Sequence, residues 1–288
     1  MAGSLTNRCA ASMRVTAMTR LIAVIVLLTF AVFLTACISG APRTALTDQQ
    51  RKIADINERA LYSMDKGDTI IAEQMFSEAL RLSASLDDRE GQTVALLNMT
   101  RLSRRNNDIQ TASDLADRAI KISEGTDMYS DALQEKALQE LQAGRLESAC
   151  KLAEMSLQKE PGPLKGRRLN LLARIACKAG KTEICRRYLE QALAANGSDI
   201  LAVERGNTLR LMGTLNSAGN RYEIAEQQLN EALRIDRDQA MPVKIAEDLE
   251  ALAELYKRTG DQKKAESFME RAKRVRKSIL ESKKNLQR

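Results

Sequence analysis

The cysteines are the side chains in this sequence with the widest range of possible chemistry. The 288 residues include five cysteines and no histidine, and histidine is the commonest general base and the commonest metal ligand. The sequence also lacks a glycine-rich phosphate loop, an H-E-x-x-H zinc motif and a G-x-S-x-G nucleophile elbow. Spacing alone leaves a Ser/Lys dyad open. We nevertheless expect no enzyme activity, no metal and no cofactor.

One cysteine follows an apolar segment near the start of the chain. Residues Leu21 to Ala36 carry no charge, and three arginines precede them. A basic flank, an apolar run and a small-residue end are typical of a secretory signal, whereas a transmembrane helix needs about 20 apolar residues. The run ends in Leu34-Thr35-Ala36-Cys37, which resembles the bacterial lipobox.

This resemblance implies a signal peptide over residues 1–36 and a lipid attached to Cys37, followed by a short tether that ends at residue 47. Several acyl chains would make membrane attachment effectively permanent, because each buried CH₂ contributes about 0.8 kcal/mol. We therefore expect a lipid-anchored protein on the extracytoplasmic face of a bacterial membrane. Ile38 favours the periplasmic side of an outer membrane. The alternative to a cleaved signal peptide is an uncleaved membrane anchor. Met18 is an alternative to Met1 as the first residue of the natural chain.

The rest of the chain reads as helical and repetitive. Apolar residues make up 44% of the sequence, but aromatics only 3%, with no Trp and four Pro, so that Leu and Ala must fill most of a core. Six copies of a three-residue stripe recur at intervals of 40, 37, 36, 40 and 40 residues. The stripes are Ala72, Phe76, Ala79; Ala112, Ala116, Ala119; Ala149, Ala153, Ser156; Cys185, Leu189, Ala192; Ala225, Leu229, Ala232; and Ala265, Met269, Ala272.

Two further positions recur in every copy. Five residues before each stripe stands a turn residue that tolerates left-handed backbone: Gly67, Asn107, Gly144, Gly180, Asn220 or Gly260. Twelve residues before each stripe stands a small residue that lets two helices approach closely: Ala60, Thr100, Ala137, Ala173, Gly213 or Ala253. Each copy is therefore predicted to be a helical hairpin, and a fixed period of this length indicates a solenoid.

The pattern resembles the tetratricopeptide repeat, with six copies over about residues 48 to 275 and a period slightly longer than usual. Sel1-like repeats are the near alternative. Both imply an all-α fold, an α-solenoid domain over residues 48–288, in which stacked hairpins supply each other's core. The longer period predicts extended first helices or longer loops between hairpins.

The C-terminal segment is predicted to be a long capping helix from Asp261 to about Leu286. Its apolar stripe contains Phe268 and Val275, and basic residues occupy the other faces. From Lys257 onward the chain has twelve Lys or Arg and four Asp or Glu. This basic face is either simply solvated or in contact with anionic lipid or an acidic partner.

The three cysteines other than Cys9 and Cys37 all lie in the predicted solenoid. Export permits disulfides. Cys177 and Cys185 flank the Gly180 turn on faces that should meet, so that we predict a possible bridge between them. The alternative is that Cys177 and Cys185 are two small core residues without a bridge. Cys150 would be an unpaired thiol in the core.

The resemblance also implies a partner-binding groove along the first helices of the hairpins, in which an envelope protein or peptide would lie. The residues carried over to it are Arg101, Arg104, Arg105, Arg167, Asn170, Arg174, Lys178, Arg210, Glu247, Glu250 and Glu254. This set is basic in the middle and acidic near the end, and would favour a peptide of matching charge pattern. Ordinary solvated charges are the alternative interpretation.

These features predict a membrane-anchored scaffold or adaptor for protein–protein interactions in the cell envelope. A pilotin-like assembly factor for pilus or secretion machinery is one alternative. A cell-wall or lipid-surface binding protein is another, although the absence of Trp argues against a glycan site. Nucleic-acid binding is not expected, because export and the few aromatics both disfavour it.

Overall fold

The computed structural model describes residues 46–160, 162–197 and 199–285, and this part of the chain is all-α. It contains twelve α-helices and one short 3₁₀ turn, Asp199–Leu201. The first helices of the hairpins are α1 (Asp48–Lys66), α3 (Arg89–Arg105), α5 (Tyr129–Gln142), α7 (Lys165–Lys178), α9 (Ala202–Ala218) and α11 (Pro242–Arg258). The second helices are α2 (Thr69–Ser85), α4 (Ile109–Ser123), α6 (Leu146–Gln158), α8 (Thr182–Ala195), α10 (Tyr222–Asp238) and α12 (Gln262–Asn285). The prediction of six hairpins is confirmed.

The turns inside the hairpins adopt the predicted backbone conformation. All six turn residues have positive φ, from 59° at Asn220 to 93° at Gly67. This left-handed conformation favours Gly and Asn because a larger Cβ substituent meets the following carbonyl. In two hairpins the second helix then starts with an aspartate whose side chain caps it. Asp108 accepts a hydrogen bond from the amide of Thr111 at 3.1 Å, and Asp261 accepts one from Lys264 at 3.0 Å.

The alanine stripes form the contact faces of the second helices. All twelve outer stripe residues are buried, as are five of the six middle residues. The prediction is wrong only for Met269, whose side chain is 39% exposed. Met269 lies on α12, and the described ranges contain no later helix that covers it.

The small residues of the first helices lie where two helices approach closely. At Gly213 an added Cβ would lie 2.6 Å from Cγ of Leu229 and 3.2 Å from the carbonyl oxygen of Ala225. The other five small residues of this set are buried. Close approach within each hairpin therefore depends on the absence of a larger side chain here.

The core consists of clusters in which neighbouring hairpins pack against each other. One cluster joins Leu141 of α5, Ala153 of α6 and Leu172 of α7. Another joins Leu229 of α10, Leu252 of α11 and Ala272 of α12. The hydrophobic faces are thus covered by the next helices along the chain, as stacking of repeats requires.

The repeat period follows the length of the first helix. The 37- and 36-residue periods contain α5 and α7, with 14 residues each. The 40-residue periods contain α3, α9 and α11, with 17 residues each. Of the two explanations offered for the long period, extended first helices are therefore the main one.

The last helix is a 24-residue capping helix that begins at Gln262 and is the longest described. Phe268 stacks on Tyr256 with ring centroids 5.4 Å apart. Arg276 donates two hydrogen bonds to Glu250, at 2.6 and 2.8 Å. Residues of α12 also approach α1. The array of hairpins therefore curves back until its last helix reaches its first.

The solenoid and the N-terminal segment are separate units, Asp48–Arg288 and Met1–Thr47. None of the helices in the described ranges is both long and apolar enough to cross a membrane. The signal peptide, Cys37 and most of the tether lie outside the described residues.

Candidate binding groove

Two adjoining cavities follow the first helices of the hairpins. The larger cavity, of about 580 Å³, lies between residues of α5, α7, α9 and α11. The smaller cavity, of about 510 Å³, lies between residues of α3, α5 and α7. Leu138 and Arg174 line both, so that the two cavities form one groove across five consecutive first helices.

Seven of the eleven residues assigned to the groove from sequence line these cavities. They are Arg104, Arg167, Asn170, Arg174, Lys178, Arg210 and Glu247. The other four, Arg101, Arg105, Glu250 and Glu254, line neither cavity. A role in partner binding stays a prediction for the whole set.

At one end of the groove, two arginines are held by one buried acid. Nε of Arg101 donates to Glu135 at 2.8 Å, and Nη1 of Arg104 lies 3.2 Å from the other carboxylate oxygen of Glu135. Nη1 of Arg105 donates to the carbonyl oxygen of Met64 at 2.9 Å. These arginines therefore connect neighbouring first helices, α1 to α3 and α3 to α5.

The three acids expected at one end of the groove are already paired with basic side chains of the protein. Nε and Nη2 of Arg276 both donate to the Glu250 carboxylate, and these hydrogen bonds lower the pKa of this carboxyl. Nε of Arg258 donates to Glu254 at 3.2 Å. Only Glu247 of the three predicted acids lines a cavity, and Nζ of Lys244 donates to it at 3.1 Å.

A buried charge cluster lies beneath the larger cavity. Nη1 of Arg210 donates to Asp236 at 2.9 Å and to Asp248 at 2.7 Å, and both carboxylates are fully buried. Glu247 lies 3.2 Å from the same guanidinium. Burial, and repulsion from Asp236, raise the pKa of Asp248 to about 7 against the attraction of Arg210. The cluster links α9, α10 and α11.

Sequence reasoning missed Asp236, Asp248 and a second buried cation. Arg168 is 1% exposed, and it donates to Asp131 at 2.7 Å, to Glu160 at 2.9 Å and to Gln134. Its neighbour Arg167 lies in the groove, 3.8 Å from Glu204. Side chains of adjacent residues on a helix point to different sides. Only knowledge of which helix face packs against the neighbouring hairpin could have shown that Arg167 lies in the groove and Arg168 in the core.

The middle of the groove has two cations without an acidic partner. The described part of the chain has no acid within ion-pair distance of Arg174 or Lys178, and the Arg174 side chain is exposed to the groove. Nζ of Lys178 donates to the carbonyl oxygen of Leu141 at 3.1 Å. Although the side chain as a whole is exposed, the groove walls partly desolvate the Arg174 guanidinium; this desolvation and repulsion from Arg104 lower its pKa, which Glu247 partly opposes.

Cys177 lies on α7 next to Lys178 of the groove, whereas Cys150 and Cys185 lie on the second helices α6 and α8. In the structure a disulfide joins Cys177 to Cys185 across the Gly180 turn, with Cα atoms 5.3 Å apart. Cys150 is free and half-buried, and burial raises the pKa of its thiol. The bridge fixes the end of α7 that carries Lys178.

Comparison with known proteins agrees with this architecture. A family model described as tetratricopeptide repeat matches residues 249–278. A search of curated proteins finds no match.

Solved structures show the same fold. The apo form of RapI has a TM-score of 0.65 at 10% identity, covering 82% of this chain and 87% of that chain. The Rap conjugation gene regulator of plasmid pLS20, in complex with the Phr* peptide, has a TM-score of 0.59 at 13% identity, covering 84% and 79%. Pseudomonas aeruginosa pilF has a TM-score of 0.52 at 16% identity, covering 82% and 98%. Together with the alanine stripes and the six left-handed turns, these matches show an α-solenoid of the tetratricopeptide-like fold, and residues 249–278 match the repeat itself.

Proposed function

We propose that this protein is a scaffold that binds a peptide segment of a partner protein in the groove. The observation that carries the proposal is the continuity of the two cavities across α3, α5, α7, α9 and α11. Leu138, Leu171 and Leu211 supply apolar contacts, and arginines, amides and Glu247 supply polar ones. Concave sites of this mixed kind bind ligands through apolar contacts and fix them through a few polar groups.

A solved relative supports the binding mode. The structure of the Rap conjugation gene regulator, which has a similar fold, is of a complex with the Phr* peptide. An amphipathic helical peptide can bind in such a groove, because its apolar anchors recur at i, i+3, i+4 and i+7 along one face. The scaffold has no catalytic role in this proposal.

The second part of the proposal is location. The scaffold is held at the extracytoplasmic face of a bacterial membrane by lipid on Cys37, with the periplasmic face of an outer membrane favoured. The support is the sequence from Leu34 to Cys37, with the apolar run and the arginines before it. Anchoring would keep the groove at the membrane surface, where it recruits envelope proteins.

Capture of a partner from detergent-solubilised envelopes tests the scaffold. The full chain is compared with Leu138→Trp, which fills the groove where the two cavities meet. Ile184→Trp on α8 is the control, because Ile184 is 36% exposed and lines neither cavity. We expect a protein captured by the wild type and the control and lost with Leu138→Trp, with unchanged far-UV circular dichroism.

Three results would redirect the proposal. Equal capture by both tryptophan variants would remove the groove from partner binding. Recovery of sacculi or lipid without protein would favour a cell-wall or lipid-surface binding protein. A pilus or secretion component as the captured protein would favour the pilotin-like assembly factor.

Fatty-acid labelling tests the anchor. Growth with radiolabelled palmitate should label the wild type and leave Cys37→Ser unlabelled, and only the wild type should sediment with membranes in the absence of detergent. A Cys37→Ser protein that still carries label would refute lipidation at this residue.

A further inference from the structure

One edge of the solenoid contains both the residue where the tether joins it and the end of its last helix. The two helices of a hairpin are antiparallel, so that the described first helices begin, and the second helices end, at the same edge. We call it the entry edge, because the chain enters the solenoid there, at Asp48 of α1. Cys37 lies eleven residues earlier in the sequence, and eleven residues span at most about 40 Å. A lipid on Cys37 would therefore keep the entry edge close to a membrane surface.

The last helix continues past the entry edge. Helices α10 and α12 begin at equivalent positions of the repeat, Tyr222 and Gln262, but α10 has 17 residues and α12 has 24. The additional residues, 279–285, extend α12 by about 10 Å, since an α-helix rises 1.5 Å per residue. Residues of α12 also approach α1, the helix that follows the tether. The end of α12 therefore projects on the side of the solenoid that the tether joins.

The entry edge and the end of α12 differ in charge. The connections between successive hairpins, which lie at this edge, contain six acidic residues and one lysine: Asp87, Asp88, Glu124, Asp127, Glu160, Asp199 and Lys159. From Arg271 to the end, the sequence has eight Lys or Arg and one Glu. An anionic surface would therefore attract the end of α12 and repel the rest of the entry edge.

One exposed face of α12 combines basic and apolar side chains. Lys273, Lys277 and Leu280 follow each other at intervals of four and three residues and so share a face of the helix, and Leu280 is 59% exposed. Glu270 and Glu281 pair with the two lysines at 2.9 and 3.6 Å, but exposed pairs of this kind contribute little free energy. Basic and apolar side chains together are typical of helices that lie at a membrane interface.

Three arginines beside this face have no acid within ion-pair distance in the described part of the chain. They are Arg237 at the end of α10, and Arg271 and Arg274 of α12. Partial burial, and repulsion from Arg237 and Arg274, lower the pKa of Arg271. Its guanidinium lies 4.7 Å from the centre of the Phe268 ring. Phosphate groups would relieve this repulsion, and guanidinium–phosphate hydrogen bonds are among the strong ones.

We propose that the end of α12 binds the surface of an anionic lipid bilayer, with Lys273, Arg274 and Lys277 against the lipid phosphates and Leu280 among the headgroups. This inference rests on the proposed lipid anchor at Cys37 and adds a second contact with the same membrane. The tether alone limits only the distance between the solenoid and the membrane. Contact through α12 also fixes the orientation of the solenoid, and with it the direction in which the groove opens.

Tryptophan fluorescence tests this contact, because the sequence contains no tryptophan. Leu280→Trp places a probe at the end of α12. Ile224→Trp is the control probe, because Ile224 is 48% exposed and lies at the start of α10, on the opposite edge. Each full chain is purified from membranes in detergent and reconstituted into vesicles of phosphatidylcholine alone, or of equal parts phosphatidylcholine and phosphatidylglycerol. Flotation of the vesicles shows that the chain is anchored, and brominated phosphatidylcholine quenches a tryptophan that enters the bilayer.

Charge variants of the Leu280→Trp chain isolate the electrostatic contribution. The test variant replaces three exposed cations at the end of α12 by glutamine: Lys273, Arg274 and Lys277. The matched control replaces three exposed cations beside the Gly260 turn, on the opposite edge: Lys257, Arg258 and Lys263. Both variants lose the same net charge, and the thermal midpoint of each shows that the fold is intact.

We expect the emission of the Leu280→Trp chain to shift to shorter wavelength and to be quenched in vesicles that contain phosphatidylglycerol, but not in phosphatidylcholine alone. High salt should reverse the shift because it screens the charges. Each basic residue near an anionic surface contributes about a fivefold factor. The test variant should therefore lower the equilibrium constant for contact about a hundredfold and abolish the shift, whereas the charge control should keep it. The Ile224→Trp spectrum should be the same in both vesicles.

Three results overturn the inference in distinguishable ways. Chains that float with both vesicles but give the same Leu280→Trp spectrum in both refute lipid contact through α12 and leave the anchor in place. Equal shifts in the test variant and the charge control refute the assignment of the contact to the three cations of α12. Failure to float with either vesicle refutes the proposed anchor together with the inference.

Discussion

The buried cluster around Arg210 predicts a stability that depends on pH in an unusual direction. The folded pKa of Asp248 is about 7, whereas an aspartate in an unfolded chain titrates near about 4. Between these values the folded chain binds more protons than the unfolded chain. The free energy of unfolding therefore falls as pH rises from about 4 towards 7, and is regained on acidification.

The size of the effect follows from the pKa. At pH 8 both the folded and the unfolded chain have Asp248 deprotonated, and at pH 6 the folded chain has it mostly protonated. One pH unit below the folded pKa corresponds to about 1 kcal/mol of additional stability. The sequence has no histidine, so that the commonest source of titration in this range is missing.

Urea unfolding followed by far-UV circular dichroism at pH 8, 7 and 6 measures this dependence. The wild type should gain about 1 kcal/mol between pH 8 and pH 6. Asp248→Asn should remove the gain because position 248 then no longer titrates. Asp238→Asn is the matched control on the exposed end of α10, and it should behave as the wild type.

Two outcomes would refute this reasoning. A wild type that is equally stable at pH 8 and pH 6 would mean that Arg210 holds Asp248 charged throughout. An Asp248→Asn variant that keeps the full pH dependence would place the titrating group elsewhere.

Three further predictions concern the hairpins. Gly213→Ala should lower the free energy of unfolding by about 1 to 3 kcal/mol, because the added Cβ would overlap the fully buried Leu229. This overlap outweighs the better helix propensity of alanine. Urea unfolding measures the change, and an unchanged midpoint would contradict the prediction. Asn220→Ala should cost about 1 kcal/mol at its φ of 59°, and Asn220→Gly should not, as thermal unfolding would reveal. Reduction of the Cys177–Cys185 bridge should cost about 2 to 3 kcal/mol for its separation of 8 residues; equal midpoints with and without reductant would argue against it.

The fold could be read from the sequence because its signals are local. A residue such as Gly144 or Asn107 is required by the backbone of one turn, and an alanine such as Ala153 by the approach of two helices, so that each copy carries its own evidence. The prediction for Met269 was wrong because burial of that position depends on a following hairpin, and the described ranges contain none after α12. The sequence pattern is the same in all copies and does not distinguish an internal hairpin from a terminal one.

The groove could be predicted only in part. The resemblance located the first helices as its walls, and seven of the assigned residues do line the cavities. Whether an arginine is free or paired depends on acids in neighbouring repeats, such as Glu135 for Arg101 or Asp236 for Arg210. These distances are set by stacking between hairpins, which sequence periodicity does not specify. Anchoring through Cys37 stays a prediction.

The approach of α12 to α1 has a consequence for how this protein could change. An open array tolerates the gain or loss of a repeat, since each unit touches only its neighbours. Here an added hairpin would have to occupy space already taken where the two ends come together, and a lost one would leave a gap between them. A change in the number of hairpins would therefore disturb this contact between the two ends, and we expect variation among related chains to fall first in loops or side chains.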